Sequence, residues 1–143
     1  MTLPKIISVA GPVIIENGKV LLIKSKGKDT EESNWKFPGG KKEESDVDFE
    51  ATCRREAKEE LDIDLEIKEL LDTMEIKQKD RIFNLIHYLA ERKGEVNPQN
   101  EVSRWNWLDI NDLPNDCESN VYKVIDKYKR EMENISEMKI NKK

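Results

Sequence analysis

Apolar residues fall into short β-like runs at the start of the chain and into a four-residue repeat in its middle. Residues 6–9 and 11–15 are rich in Val and Ile and predict β-structure. Asn17-Gly18 follows, a pair that tolerates positive φ at both positions and so predicts a tight hairpin turn into a returning strand over residues 20–23. Residues 24–34 are polar and predict a loop. Trp35-Lys36-Phe37 is a short β-like piece stopped by Pro38-Gly39-Gly40. Phe49, Cys53, Ala57 and Leu61 then recur every four residues and form one apolar stripe, which predicts a helix over residues 49–61. Residues 70–77 and 81–91 predict two strands around a turn at 78–80, and residues 94–100 a loop. Residues 105–108 predict a short strand, with Leu113-Pro114 ending the turn after it. Val121, Val124, Ile125, Tyr128 and Met132 mark one side of a second helix, predicted from residue 121 to about 135, with residues 139–143 frayed. Strands, helix, strands, helix is the order of a mixed sheet with helices on its two faces, and two hairpins exclude a purely parallel one.

Composition narrows the class. A chain of 143 residues suits one domain, and 36% apolar against 38% charged residues gives one core under a charged surface. The net charge of −5 argues against a nucleic-acid footprint. An acidic protein that binds a phosphate ester needs a cation between the two. Cys53 and Cys117 form no CxxC pair and predict reduced thiols rather than a zinc site. No basic leader precedes an apolar stretch and no window suits a membrane span, so the expectation is a cytoplasmic protein without a membrane partner.

The chemistry concentrates at Arg55-Glu56-Ala57-Lys58-Glu59-Glu60-Leu61. On a helix, Glu56, Glu59 and Glu60 fall within one arc of about 100° and are neighbours. Glu60 borders the apolar stripe, so part of its charge leaves water, and a divalent cation would relieve the repulsion. Hard oxygen donors suit Mg2+ or Mn2+. Arg55, four residues before Glu59, can hold one carboxylate in place. A run of this kind is also common on solvated helices, where Glu and Lys are simply good helix formers. The preceding Pro38-Gly39-Gly40 shifts the balance, because glycines let backbone N–H groups approach phosphate oxygens.

These residues resemble the Nudix hydrolase family, whose box reads G-x5-E-x7-R-E-U-x-E-E-x-G-U with U apolar. Gly40 matches its opening Gly and the segment from Arg55 to Ile63 its close. Phe37-Pro38-Gly39 before it, and Trp107-Leu108-Asp109 with Leu113-Pro114 after it, are similar to the family as well. The resemblance runs from about residue 6 to 128 and implies a MutT-like Nudix α/β/α sandwich. There are two departures. The loop from Gly40 to Arg55 is one residue longer than in the box, so no Glu stands at its first acidic position; Glu44, Asp46 and Asp48 are the candidates, Asp46 the favoured one. That acid braces the Arg in the family. Asp62 stands where the box has Gly, at a position that often needs a left-handed backbone, which Asp tolerates.

The resemblance further implies Mg2+ or Mn2+ held by Glu56, Glu59 and Glu60, catalytic roles for Arg55, Glu59 and Glu60, and ligand contact at Gly39 and Gly40. It offers Glu101, in the loop before Trp107, as a general base or further ligand; a solvated loop Glu is the equal alternative. Lys41 or Lys42 is placed to touch phosphate, while Lys24, Lys26 and Lys28 are expected in solvent. Trp107 is expected in the core, Trp35 and Trp105 in core or edge packing unless one stacks on a base, and His87 as a structural strand residue. The implied reaction is hydrolysis of a diphosphate in a small nucleotide, with a nucleoside triphosphate giving monophosphate and pyrophosphate. ADP-ribose or a nucleotide sugar is the alternative substrate. A non-catalytic nucleotide sensor and a plain interaction module are the rivals from other classes. Dimers are frequent in such families, so a homodimer is among the expectations.

Overall fold

The computed structural model describes residues 3–141, with side chains through residue 138. Strand β1 (Lys5–Val13) is followed by a hairpin, β2 (Ile15–Glu16) and β3 (Lys19–Ser25), then a two-residue strand β4 (Gly40–Lys41) and helix α1 (Phe49–Leu61). A long hairpin, β5 (Asp64–Gln78) and β6 (Arg81–Lys93), leads to β7 (Val102–Asp109) and helix α2 (Ser119–Asn141). Both hairpin turns fall where the sequence predicts them: Asn17 and Gly18 have φ of 52° and 76°, and Lys79 has φ of 53°.

The strands form two sheets rather than one, in the orders β4-β1-β6-β5 and β2-β3-β7. β1 runs parallel to β6 and antiparallel to β4, so the first sheet is mixed. Helices cover two separate apolar layers. Leu21 and Ile23 of β3 join Ala10, Ile14, Ile86 and the α1 stripe of Cys53, Ala57 and Leu61. Their strand neighbours Val20 and Leu22 join Val13, Phe37, Leu71 and the α2 residues Val121, Val124 and Ile125. Alternate residues of β3 therefore enter opposite layers, which is why this strand reads as a continuous apolar run rather than an alternation.

Several boundaries differ from the sequence-based expectation, β7 starting at Val102 rather than residue 105 and α2 at Ser119 rather than 121. β5 starts at Asp64, because register shifts after Ile67 and Leu70 break the alternation that would reveal it. Trp35-Lys36-Phe37 makes only isolated bridges, Ile23 to Lys36 and Trp35 to Cys117. α2 runs past residue 135 to Asn141, because residues 129–141 contain no Gly or Pro to stop it. Of the end expected to fray, residues 142–143 lie outside the described residues.

Close backbone packing anchors the site-bearing turn. A Cβ on Gly39 would lie 2.6 Å from the Ala10 carbonyl oxygen, and one on Gly11 would strike the Pro38 carbonyl. Gly39 also has φ of +145°, so both contact and conformation require glycine there. At the far end of α1, Asp62 is left-handed (φ 56°, ψ 38°), and its N–H bonds to the Lys58 carbonyl.

Asp62 is exposed, and its side chain meets only the exposed Lys58 amine at 3.5 Å. Asp62→Gly should therefore leave stability unchanged or raise it by up to about 1 kcal/mol. A denaturant midpoint clearly below the parent's would contradict this.

Candidate active site

α1 begins at an Asp48 N-cap, whose carboxylate accepts the Ala51 N–H at 2.7 Å. About two turns later the helix carries Arg55, Glu56, Glu59 and Glu60. Arg55 is the hub. Its Nε and Nη2 donate to the two oxygens of Asp46 at 3.0 and 2.9 Å, a bidentate pair. Nη2 also donates to the Lys41 carbonyl at 2.9 Å. Nη1 reaches Glu56 at 3.0 Å and Glu59 at 3.2 Å. Of the three acids open as the brace, Asp46 makes the pair, Asp48 caps the helix and Glu44 is exposed.

Asp46 is only 6% exposed and accepts two more hydrogen bonds, from Thr52 Oγ1 at 3.0 Å and the Glu43 N–H at 2.9 Å. The Arg55 guanidinium, with these donors, holds its carboxyl well below the usual carboxylate range. The same pairing raises the already high pKa of Arg55.

Glu60 points the other way, toward the glycine turn. Its Oε1 accepts the Gly39 N–H at 2.7 Å. Burial nonetheless pushes its carboxyl up to about 8, against the Gly39 bond and with help from the charge of Glu56. Burial also raises the Glu56 carboxyl, although Arg55 opposes it. A Cβ on Gly40 would lie 2.6 Å from the Glu56 carboxyl carbon, so a larger residue there would push that side chain aside.

The donor chemistry fits a hard divalent cation: carboxylate oxygens crowded on one helical turn, with burial raising the carboxyls of Glu56 and Glu60. Among the described residues no three His, Cys, Asp or Glu side chains converge on one point. Glu56 and Glu59 lean onto Arg55 and Glu60 onto Gly39, which accounts for their spread.

Glu101 is exposed, beyond a loop that closes the end of α1. Asn97 and Gln99 donate backbone N–H groups to the Leu61 and Glu60 carbonyls, each at 2.9 Å, and Asn100 Nδ2 donates to the Glu59 carbonyl at 2.7 Å. These caps were missed in the sequence. Asn100, with φ of 55°, is the sort of residue that could have signalled one.

A cleft of about 470 Å³ opens beside the glycine turn, walled by Lys36, Phe37, Gly39, His87 and the first residues of α2, Ser119 and Asn120. Lys41 lines it also, whereas Trp35 packs against the α2 layer beneath Lys24, 5.1 Å from its ring, and Trp107 against the α1 layer. Both cysteines are buried and free, and burial pushes the Cys53 thiol up to about 12, so neither enters the site.

Replacing Asp46 tests the hub. Its depressed pKa contributes stability that is present above the unfolded value of about 3.9 and is lost as pH falls through the lower folded value. Asp46→Asn should thus be less stable than the parent at pH 7, with the gap closing only below about pH 4. Its turnover should fall about 10- to 100-fold as Arg55 loses its seat. Equal melting temperatures at pH 7 would contradict the pairing.

Comparison with known proteins agrees with this geometry. The family model described as NUDIX domain matches residues 4–128. Among solved structures, a MutT NUDIX hydrolase from Burkholderia pseudomallei is 25% identical, with TM-score 0.75, covering 86% of this chain and 98% of its own. The MutT protein from Methanosarcina mazei Go1 is 18% identical with TM-score 0.79, over 92% and 98%. An ADP-ribose pyrophosphatase from Streptococcus suis is 19% identical with TM-score 0.65, over 87% and 92%. No curated protein matches the chain in sequence. With the family model spanning most of its length, the chain belongs to the NUDIX family and is a Nudix-type pyrophosphohydrolase.

Proposed function

We propose that this protein hydrolyses a nucleoside triphosphate to the monophosphate and pyrophosphate with the help of Mg2+ or Mn2+. The observation that carries the proposal is the acidic turn of α1, held by Arg55 and facing Gly39 and Gly40 beside a cleft of about 470 Å³. A space of that size suits one small ligand. The MutT NUDIX hydrolase at 25% identity supports a hydrolytic reaction, while the ADP-ribose pyrophosphatase, at lower identity, shares the fold.

In this reading Glu56, Glu59 and Glu60 hold the cation, which when bound neutralises the diphosphate and acidifies a water. Glu59, half exposed, would leave Arg55 to join them, while Arg55, seated on Asp46, keeps the helix turn in register. Gly39 and Gly40 bring backbone close to the phosphates, and Lys36 and Lys41 line the approach as cations. Glu101 or one of the helix carboxylates takes the proton from water as it attacks phosphorus, and pyrophosphate leaves. Among the described residues no helix is long and apolar enough to cross a membrane.

Glu59→Gln and Glu60→Gln should each lower turnover at least about 10²-fold, and chelator should abolish it. The raised pKa of Glu60 adds a sign check. Without metal, its ionisation costs stability increasingly as pH rises from about 4 to about 8, so Glu60→Gln should be the more stable apo protein by pH 8. Parental turnover in both variants on a confirmed substrate would refute the reading. Near-parental turnover in Glu101→Gln would remove only that residue.

A further inference from the structure

The mixed sheet has one long open edge. β5 is the outermost strand in the order β4-β1-β6-β5 and, at 15 residues, the longest strand of the fold. Register shifts after Ile67 and Leu70 break its first half, a common way of blunting an edge. From Thr73 to Gln78 the register is unbroken, each residue facing one partner on β6 between Ile86 and Arg81. Among the described residues, no backbone hydrogen bond outside the β5–β6 ladder involves residues 73–78. The outward N–H and C=O groups of this half can therefore take another strand.

Side chains alternate along this half. Met74 packs against the α2 layer and Ile76 and Gln78 line the cleft, so these three share one face. Thr73, Glu75 and Lys77 are exposed on the other. Across the ladder Glu75 faces Asn84 and Lys77 faces Ile82, and among the described residues neither charge has an ion-pair partner. Charges on an edge strand ordinarily discourage pairing, unless the register makes them complementary. With two copies antiparallel about a two-fold axis, an axis through Glu75 or Lys77 sets that charge against its own copy. An axis through Met74 runs the straight half against the bulges, and one through Gln78 runs it into the turn. An axis through Ile76 sets Glu75 opposite Lys77 of the partner subunit and Lys77 opposite the partner's Glu75, with the two Ile76 side chains together on the cleft face.

We propose that residues 73–78 of β5 are an interface for a second copy of this chain, paired antiparallel about Ile76 so that the two four-stranded sheets join into one. Ile76 and Gln78 line the cleft, so the partner's Ile76 and the partner's Met74 continue its outer wall. The shared wall rests on the nucleotide reading above; the pairing itself does not.

Sedimentation velocity with a charge exchange tests the pairing. The parent should be a dimer. Glu75→Lys and Lys77→Glu each turn two attractive cross-strand pairs into two repulsive ones and should raise the dimer Kd at least about tenfold. Both side chains are exposed, so the variants should fold as the parent does. An equimolar mixture of the two variants restores opposite charges at both pairs and should form a heterodimer about as tight as the parent. On a nucleoside triphosphate the separated variants should keep kcat while KM rises about threefold or more, and the mixture should recover the parental KM. A parent that stays monomeric as its concentration is raised, a dimer indifferent to both reversals, or a mixture that does not re-associate overturns the pairing. Parental KM in the separated variants overturns the shared wall. A parent that dimerises as described yet hydrolyses no nucleoside triphosphate upholds the pairing and overturns the nucleotide reading.

Discussion

One guanidinium organises the acidic turn. Arg55 ties the loop through Asp46, the edge strand through the Lys41 carbonyl, and its own helix through Glu56 and Glu59. Without it, Glu56, Glu59 and the desolvated Glu60 would repel one another within about one turn. Its planar fork suits Asp46 as a lysine could not, since both oxygens are engaged at once. The pair is anchored in turn by Thr52 and the Glu43 N–H, so the position of Arg55 is determined from several directions.

The second constraint is backbone contact. Gly11 and Gly39 let β1 and the glycine turn touch without side chains between them, and Gly40 makes room for the Glu56 carboxylate. This proximity lets one peptide N–H, that of Gly39, reach Glu60 across the fold. It also leaves the Glu60 carboxyl largely screened from water, which pushes its pKa up to about 8. The site thus stores unfavourable electrostatics that a cation would release, as expected where function opposes stability.

Much of this was legible in the residues. The four-residue stripe of α1, the Asn17-Gly18 turn and the acidic triplet follow from periodicity and turn chemistry alone. Asp46 was one of three candidate acids, because spacing along a loop does not say which carboxylate folds back; the bidentate geometry does. The early start of β5 was hidden by two bulges, and the extra length of α2 by a decaying apolar stripe. The caps from residues 97–100 and the pairing of His87 with Asn120 join positions far apart in the chain, which no local pattern encodes.

We propose that burial keeps the Glu60 carboxyl largely protonated at pH 7 and that a divalent cation would displace its proton. Calorimetric titration of the protein with Mg2+ at pH 7, in buffers of different ionisation enthalpy, measures that exchange directly. The account predicts release of about one proton per cation bound, abolished in Glu60→Gln. Binding with no buffer dependence, or with the same proton release in Glu60→Gln, would contradict it.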